Sequence, residues 1–167
     1  DISDQHLIRA RRKMPEMNFI NTSVLDLYKA QLSKYDVCTF LGTISIFDNI
    51  EPIMHSLVKV IKNNGAIYIF DSINDEPVDV LMRYKLSSEK SEWQSGFNMR
   101  SEKTYKNILR KIDPNLKSKF HPFKINFPIK KTKDPMRSWT IKTNSNNNQI
   151  IVGTGQMLNT KILEISY

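Results

Sequence analysis

Apolar positions along this chain follow two rhythms, one of three to four residues and one of two, and the rhythm changes several times. After Ser3, a residue type suited to an N-cap, Leu7 and Ile8 share a helical face with Ala10 and Met14 close by, and Pro15 ends the run. That predicts a helix from Ser3 to about Lys13. Residues 17–20 read as a short strand and 25–32 as a short helical stretch. The run YDVCTFL at 35–41 is mostly apolar and bounded by polar residues, the pattern of a strand buried on both faces. The clearest periodicity comes next: Ile50, Ile53, Met54, Leu57, Val58 and Ile61 recur at spacings of three and four. Asp48 and Glu51 before them form a carboxylate variant of the capping box, and Asn64-Gly65 is suited to close the helix. Residues 66–73 then read as a second buried strand. Strand, long helix, strand in this order implies a crossover in a parallel sheet.

Beyond residue 73 the pattern loosens. Asp75-Glu76-Pro77 looks like a helix start, with the helix reaching about Lys85, and residues 86–100 are polar and irregular. Ser101 is placed to cap a helix through Ile112, with Tyr105, Ile108, Leu109 and Ile112 on one face, and Asp113-Pro114 breaks it. The rest reads as antiparallel strands over about 117–127, 136–143, 148–157 and 161–166, with a basic loop at 128–134 and an Asn-rich turn at 144–148. The fold class expected is α/β, with a mostly parallel sheet and antiparallel C-terminal strands, in one domain over 1–167.

Composition sharpens this picture in two places. Hydrophobic residues make up 40% and charged residues 25%, enough apolar surface for one core. The net charge of +8 is unevenly placed: residues 1–80 hold 8 Lys/Arg against 11 Asp/Glu, and residues 81–167 hold 17 against 6. A basic half can attract nucleic acid or phosphorylated substrates, or it can be a solvated lysine-rich surface. The single cysteine, Cys38, excludes an internal disulfide and fits a reducing, cytoplasmic location. No apolar run approaches the roughly 20 residues that span a bilayer, so no membrane partner is expected.

Candidate chemistry is sparse when the residues are taken singly. Asp1, at a strand-to-helix junction with Ile2, Ser3 and Asp4, can accept hydrogen bonds from a ribose diol, or it can be an ordinary helix-start carboxylate. Leu41-Gly42-Thr43 follows a parallel strand, where glycine permits close backbone approach by a ligand or simply ends the strand. His6, His55 and His121 have no metal-ligand spacing, so no metal is expected. Cys38 sits in an apolar strand, more as core than as a nucleophile. No P-loop, G-x-S-x-G or zinc pattern is present.

The order of segments says more. DISDQHLIRAR, then NFINTSVLDL, then KYDVCTFLGTISIFDNIEPIMHSLVKVIKNNGAIYIFDSI resembles the class I, Rossmann-like S-adenosylmethionine-dependent methyltransferases over residues 1–73. NDEPVDVLMRYK and the closing RSWTI and ILEI segments are similar more loosely. The resemblance implies S-adenosylmethionine as cofactor, with residues 1–73 as the cofactor-binding portion and 74–167 as substrate-side helices and C-terminal strands. Asp1 takes the position of the acidic residue that binds the ribose, with Ile2 beside it. Ser23 and Val24 match the positions that meet the adenine amine and ring; the family usually has Asp where Ser23 stands, and Asp26 lies three residues on. Leu41, Gly42 and Thr43 match the segment along the methionine part.

The family's first strand and G-x-G-x-G loop fall about 20 residues before the Asp1 position, and this chain does not contain them. The expectation is an N-terminally truncated domain. Its sheet is part of the order 3-2-1-4-5-7-6, and either a gap or cleft lies beside residues 35–41 where the central first strand belongs, or Asp1 and the helix after it are displaced from the rest. The reaction implied is methyl transfer to an oxygen or nitrogen of a small-molecule acceptor, with Asn74, Asp75, Arg83, Tyr84 and Trp93 as candidate acceptor contacts. Two other readings stay open: an RNA methyltransferase or nucleic-acid binder using the basic half, and a catalytically inert remnant.

Overall fold

The computed structural model describes residues 1–30, 34–88, 90–144 and 147–167. Helix α1 spans Asp4–Lys13, and Ser3 caps it by accepting the His6 amide hydrogen at 3.3 Å. Asp4 in its first turn and Arg11, Arg12 and Lys13 in its last complement the helix dipole. Leu7 is buried, whereas Ile8, expected on the same face, is exposed. Residues 17–20 form no strand. With no neighbouring strand to pair with, their carbonyls are met locally: Phe19 O accepts from the Arg11 guanidinium at 3.1 Å and Ile20 O from the Asp1 amino group at 3.3 Å. The next stretch is a 3-10 helix, Val24–Ala30; Leu32, the expected helix end, lies outside the described residues.

Strand β1 is Tyr35–Leu41, as predicted, but it is not buried on both faces. Only Cys38 and Phe40 lean on the core, while Tyr35, Val37 and Leu41 are exposed. A 3-10 turn at Ile44–Ile46 leads to helix α2, Glu51–Lys59. The expected capping box does not form. Asn49 Oδ1 accepts the Glu51 amide at 3.0 Å instead, and the Asp48 carboxylate is occupied elsewhere. Helix α2 also ends earlier than the periodicity suggests. Ile61 already belongs to β2, Ile61–Asn74, and Gly65 lies inside that strand, at the register shift where β2 bulges against Tyr35 and Val37.

The helix expected from Asp75 to about Lys85 is absent. Asp75 is drawn away by Lys161, Val80 bridges to Met99, and the segment yields only the two-residue strand β3, Arg83–Tyr84, paired with β4, Gln94–Ser95. Strand β5, Arg100–Ser101, pairs in parallel with the end of β2. Helix α3, Glu102–Ile112, is capped as predicted, with Ser101 Oγ accepting the Thr104 amide hydrogen at 3.2 Å. The remaining strands are β6 (Lys117–Pro122), β7 (Trp139–Lys142), β8 (Asn148–Ile151), β9 (Met157–Leu158) and β10 (Thr160–Ser166).

The main sheet has the order β1-β2-β10-β6. β1 and β2 are parallel, β10 is antiparallel to both of its neighbours, and β7, β8 and β9 form a separate small sheet. Alternate residues of β2 and β10 (Ile67, Ile69, Ile73, Leu163 and Ile165) meet Ile53, Met54 and Leu57 of α2 and Tyr105 and Leu109 of α3 in one core. Burying a side chain of this size stabilises by roughly 1.5–3 kcal/mol. The order matches the 4-5-7-6 part of the sheet expected from the sequence. Among the described residues nothing pairs with the outer edge of β1, which is why that strand is exposed. No helix of the described residues is long and apolar enough to cross a membrane.

Candidate functional site

Parallel strands point their carboxyl ends to one side, and the loop leaving β1 begins there. Gly42 N donates to Phe70 O at 2.8 Å, extending the β1–β2 ladder by one bond. Gly42 then turns with φ +65°, and a Cβ added to it would have no atom within 4 Å, so the backbone here faces open space. Thr43 Oγ1 donates to Leu41 O at 3.2 Å. Ile44, 2% exposed, anchors the next turn in the core.

A carboxylate inside the sheet fastens this loop. Asp71 in β2 is buried and accepts the Ser45 amide at 3.1 Å and its neighbour Ser72's amide at 2.7 Å. Burial pushes the Asp71 carboxyl up to about 6, against the opposing pull of those amides. From the other side the segment 79–101 grips the same loop. Asn98 N donates to Ser45 O at 3.0 Å, Asn98 Nδ2 to Phe47 O at 3.1 Å, and the buried Arg100 guanidinium to Asp48 O at 2.6 Å. The Asp48 carboxylate accepts from Ser95 Oγ at 2.7 Å and from the Arg83 guanidinium, and both lower its pKa. The β3–β4 hairpin is thus tied to the loop that starts at Gly42.

The sequence-predicted residues fall into separate groups. Asp1 lines a cleft of about 470 Å³ with His6, Leu7, Phe19, Ile20 and Leu27, and Leu41–Thr43 are not among its walls. Asp1 Oδ1 accepts the Ser3 amide at 2.8 Å, and Oδ2 lies 3.8 Å from His6 Nδ1. Ile2 is exposed. Ser23 Oγ accepts the Leu25 amide at 3.2 Å, and Val24 packs, half-buried, on the core. Arg83, Tyr84 and Trp93, ten residues apart at the extremes, do come together on one cleft of about 680 Å³.

Asn74 and Asp75 are not on that cleft. Asn74 closes a turn through Val78 O at 2.9 Å, and Asp75 pairs with Lys161 and accepts from Asn159 Nδ2 at 2.8 Å. Lys161 is buried and also meets Glu102 at 2.8 Å. Burial works against its charge, but the two carboxylates outweigh burial and raise its pKa. Cys38 is half-buried, and burial pushes its thiol up, as suits a core residue. Among the described residues no group of three or more His, Cys, Asp or Glu could hold a metal ion.

Sequence reasoning missed Asp71, Asp48 and Lys161. The first had a visible signal, a carboxylate inside the apolar run AIYIFDSI. The other two are defined by partners 35 and 86 residues away.

No protein-family model and no curated protein matches the chain. Solved structures do match. The DhpI–SAM–HEP complex aligns with a TM-score of 0.58 at 12% identity, covering 100% of this chain and 66% of that one. A S-adenosylmethionine-dependent methyltransferase from Clostridium acetobutylicum aligns at 0.57 and 9% identity, covering 99% and 72%. The glycopeptide N-methyltransferase MtfA aligns at 0.54 and 10% identity, covering 99% and 71%. The chain spans 62–66% of the DhpI chains, in complexes with SAH and with SAM. This chain therefore has the Rossmann-like fold of class I methyltransferases.

Proposed function

We propose that the full-length protein binds S-adenosylmethionine and transfers its methyl group to an oxygen or nitrogen of a small-molecule acceptor. The observation that carries this reading is the open, positive-φ Gly42 at the carboxyl end of β1, in a sheet of the order β1-β2-β10-β6. Ligands of open α/β sheets gather at that end of the strands. The fold is also that of proteins solved with SAM or SAH.

The residues of this chain fit such a cofactor in part. Gly42 leaves room for close approach, with Leu41 exposed beside it. Asp1 is half-exposed and has acceptor capacity beyond its bond to Ser3, as a ribose diol requires. Val24 offers an apolar contact from a position backed by the core, with Ser23 next to it. When bound, the cofactor supplies an electrophilic methyl on a sulfonium. Displacement at that methyl needs alignment of the acceptor more than a covalent intermediate on the protein. Asp71, Asn98 and Arg100 hold the 42–48 loop in one conformation, and Arg83, Tyr84 and Trp93 present the acceptor side.

Calorimetric titration of the full-length protein with S-adenosylhomocysteine tests the cofactor. Valine at position 42 is strained at φ +65° and fills the open space, so Gly42→Val should weaken binding at least about tenfold. Equal affinities would remove the β1 end from the site. Transfer of labelled methyl into a small-molecule extract and into total RNA then tests the acceptor. Label found only in RNA would replace the small-molecule reading with the nucleic-acid one.

A further inference from the structure

We infer that the cleft beside the β3–β4 hairpin selects acceptors with a flat apolar body and one anionic group, a carboxylate or a phosphate. This deepens the acceptor reading above and rests on it. The walls come from two distant parts of the chain: Met82, Leu86 and Trp93 on the hairpin side, and Pro135 and Met136 facing them, with Gly153 and Thr154 behind. Two features define what fits.

The first is shape and polarity. Trp93 is 66% exposed, and such exposure of a large ring at a cleft wall leaves a flat face for stacking. Methionine side chains opposite it adapt to varied apolar outlines. A volume of about 680 Å³ admits a molecule of two or three fused rings.

The second is charge. Among the described residues no Asp or Glu lines the cleft, and the two cations there differ in state. Arg83 is neutralised by Asp48 and held by Ser95. Lys85 Nζ lies 5.4 Å from the Trp93 ring centroid, and among the described residues no carboxylate pairs with it. An anion on a ring stacked against Trp93 would meet that ammonium. The surrounding half of the chain, with 17 Lys/Arg against 6 Asp/Glu, adds an attractive field for the same sign of ligand.

The cleft is also connected to the proposed methyl source. Its hairpin is fixed through Arg83 and Ser95 to Asp48, at the end of the loop that starts at Gly42. The hairpin that carries Trp93 is thereby linked to the loop leaving β1.

The test uses three isosteric probes: 6-hydroxy-2-naphthoate, its neutral carboxamide and the matching naphthylmethylamine. Binding to the full-length protein is followed by tryptophan quenching and calorimetry. The naphthoate should bind about tenfold or more tightly than the carboxamide, one charge-assisted hydrogen bond's worth, and the amine least of all. Lys85→Gln should erase the preference for the anion, and Trp93→Ala should weaken all three probes. Both positions are exposed, so circular dichroism should show the fold intact. Equal binding of the three probes, or a preference that survives Lys85→Gln, overturns the inference. Methylation of the naphthoate hydroxyl is scored separately. Selective binding without any methyl transfer, even with other hydroxylated or aminated aromatic acids, would leave the cleft assigned and count against the methyl-transfer reading.

Discussion

Asp71 stands in β2 on the same face as Ile67, Ile69 and Ile73, and it is the one carboxylate in that row. Burial there favours the protonated form, so its pKa rises from 3.8 to about 6. A carboxyl raised in the folded state contributes stability that is fully present below the unfolded pKa and lost as pH rises through the folded one. The window is therefore about pH 4 to 6, with a loss on the order of 3 kcal/mol by neutral pH. Asp71→Asn keeps an acceptor for the Ser45 amide and removes the charge. In urea melts the variant's advantage over wild type should be smallest at pH 4 and grow to about 1–3 kcal/mol at pH 7.5. No gain at pH 7.5 would mean the carboxylate is better solvated than its burial implies. Taking the difference from wild type matters, because Asp75 and Glu102 work in the opposite sense. Lys161 holds both carboxyls low, and the stability they contribute is lost as pH falls.

At the level of elements, the β3–β4 hairpin and the small β7-β8-β9 sheet are placed by contacts outside themselves. Two-residue strands are too short to persist alone. What holds the hairpin is Asp48, and what joins the two parts of the opposite wall is Gly153, whose amide donates to Pro135 O at 2.9 Å. A Cβ at Gly153 would fall 2.1 Å from that carbonyl oxygen, a backbone atom with little freedom to retreat. Gly153→Ala should therefore cost about 1–3 kcal/mol in a urea melt and weaken naphthoate binding by pushing Pro135 and Met136 out of place. A variant with wild-type stability and affinity would show that these loops adjust freely and that the cleft has no set width.

At the scale of the whole molecule, the main sheet ends in two strands, β1 and β6, that each pair on one side only among the described residues, while α2 and α3 cover the core. β6 is largely polar, with Lys117 and Lys119 along it, whereas β1 has Val37 and Leu41 exposed. Unpaired apolar edges recruit other strands. Preparations of residues 1–167 should therefore self-associate with concentration in sedimentation velocity runs. Val37→Lys should shift them toward monomer, since a lysine on an edge strand opposes pairing. A chain that stays monomeric at every concentration, with or without the lysine, would mean that this edge is covered.

Local rules determined much of this by themselves. Ser3 and Ser101 cap helices where serine before an apolar-periodic run should, because capping involves only the next three residues. β1 lies where an apolar run bounded by polar residues placed it, whereas the sheet order was implied by the resemblance of residues 1–73 to a known family and not by local rules. The errors occurred where a local signal had a distant competitor. Asp48 had the spacing of a capping residue, but Arg83 and Ser95 are stronger partners than an exposed amide. Asp75 looked like a helix start, but Lys161, 86 residues away, takes its carboxylate, and the backbone that would have coiled pairs with residues 94–101 instead. The exposure of β1 likewise follows from there being no strand on its outer edge among the described residues, and not from its own residues. Of the residues proposed for the acceptor, Arg83, Tyr84 and Trp93 share a cleft with Met136 and Thr154 only because loops that flank the strands of the small sheet lie across from the hairpin. Caps and periodicities act within a turn or two of the chain, whereas a cleft wall is decided by which distant surfaces pack together.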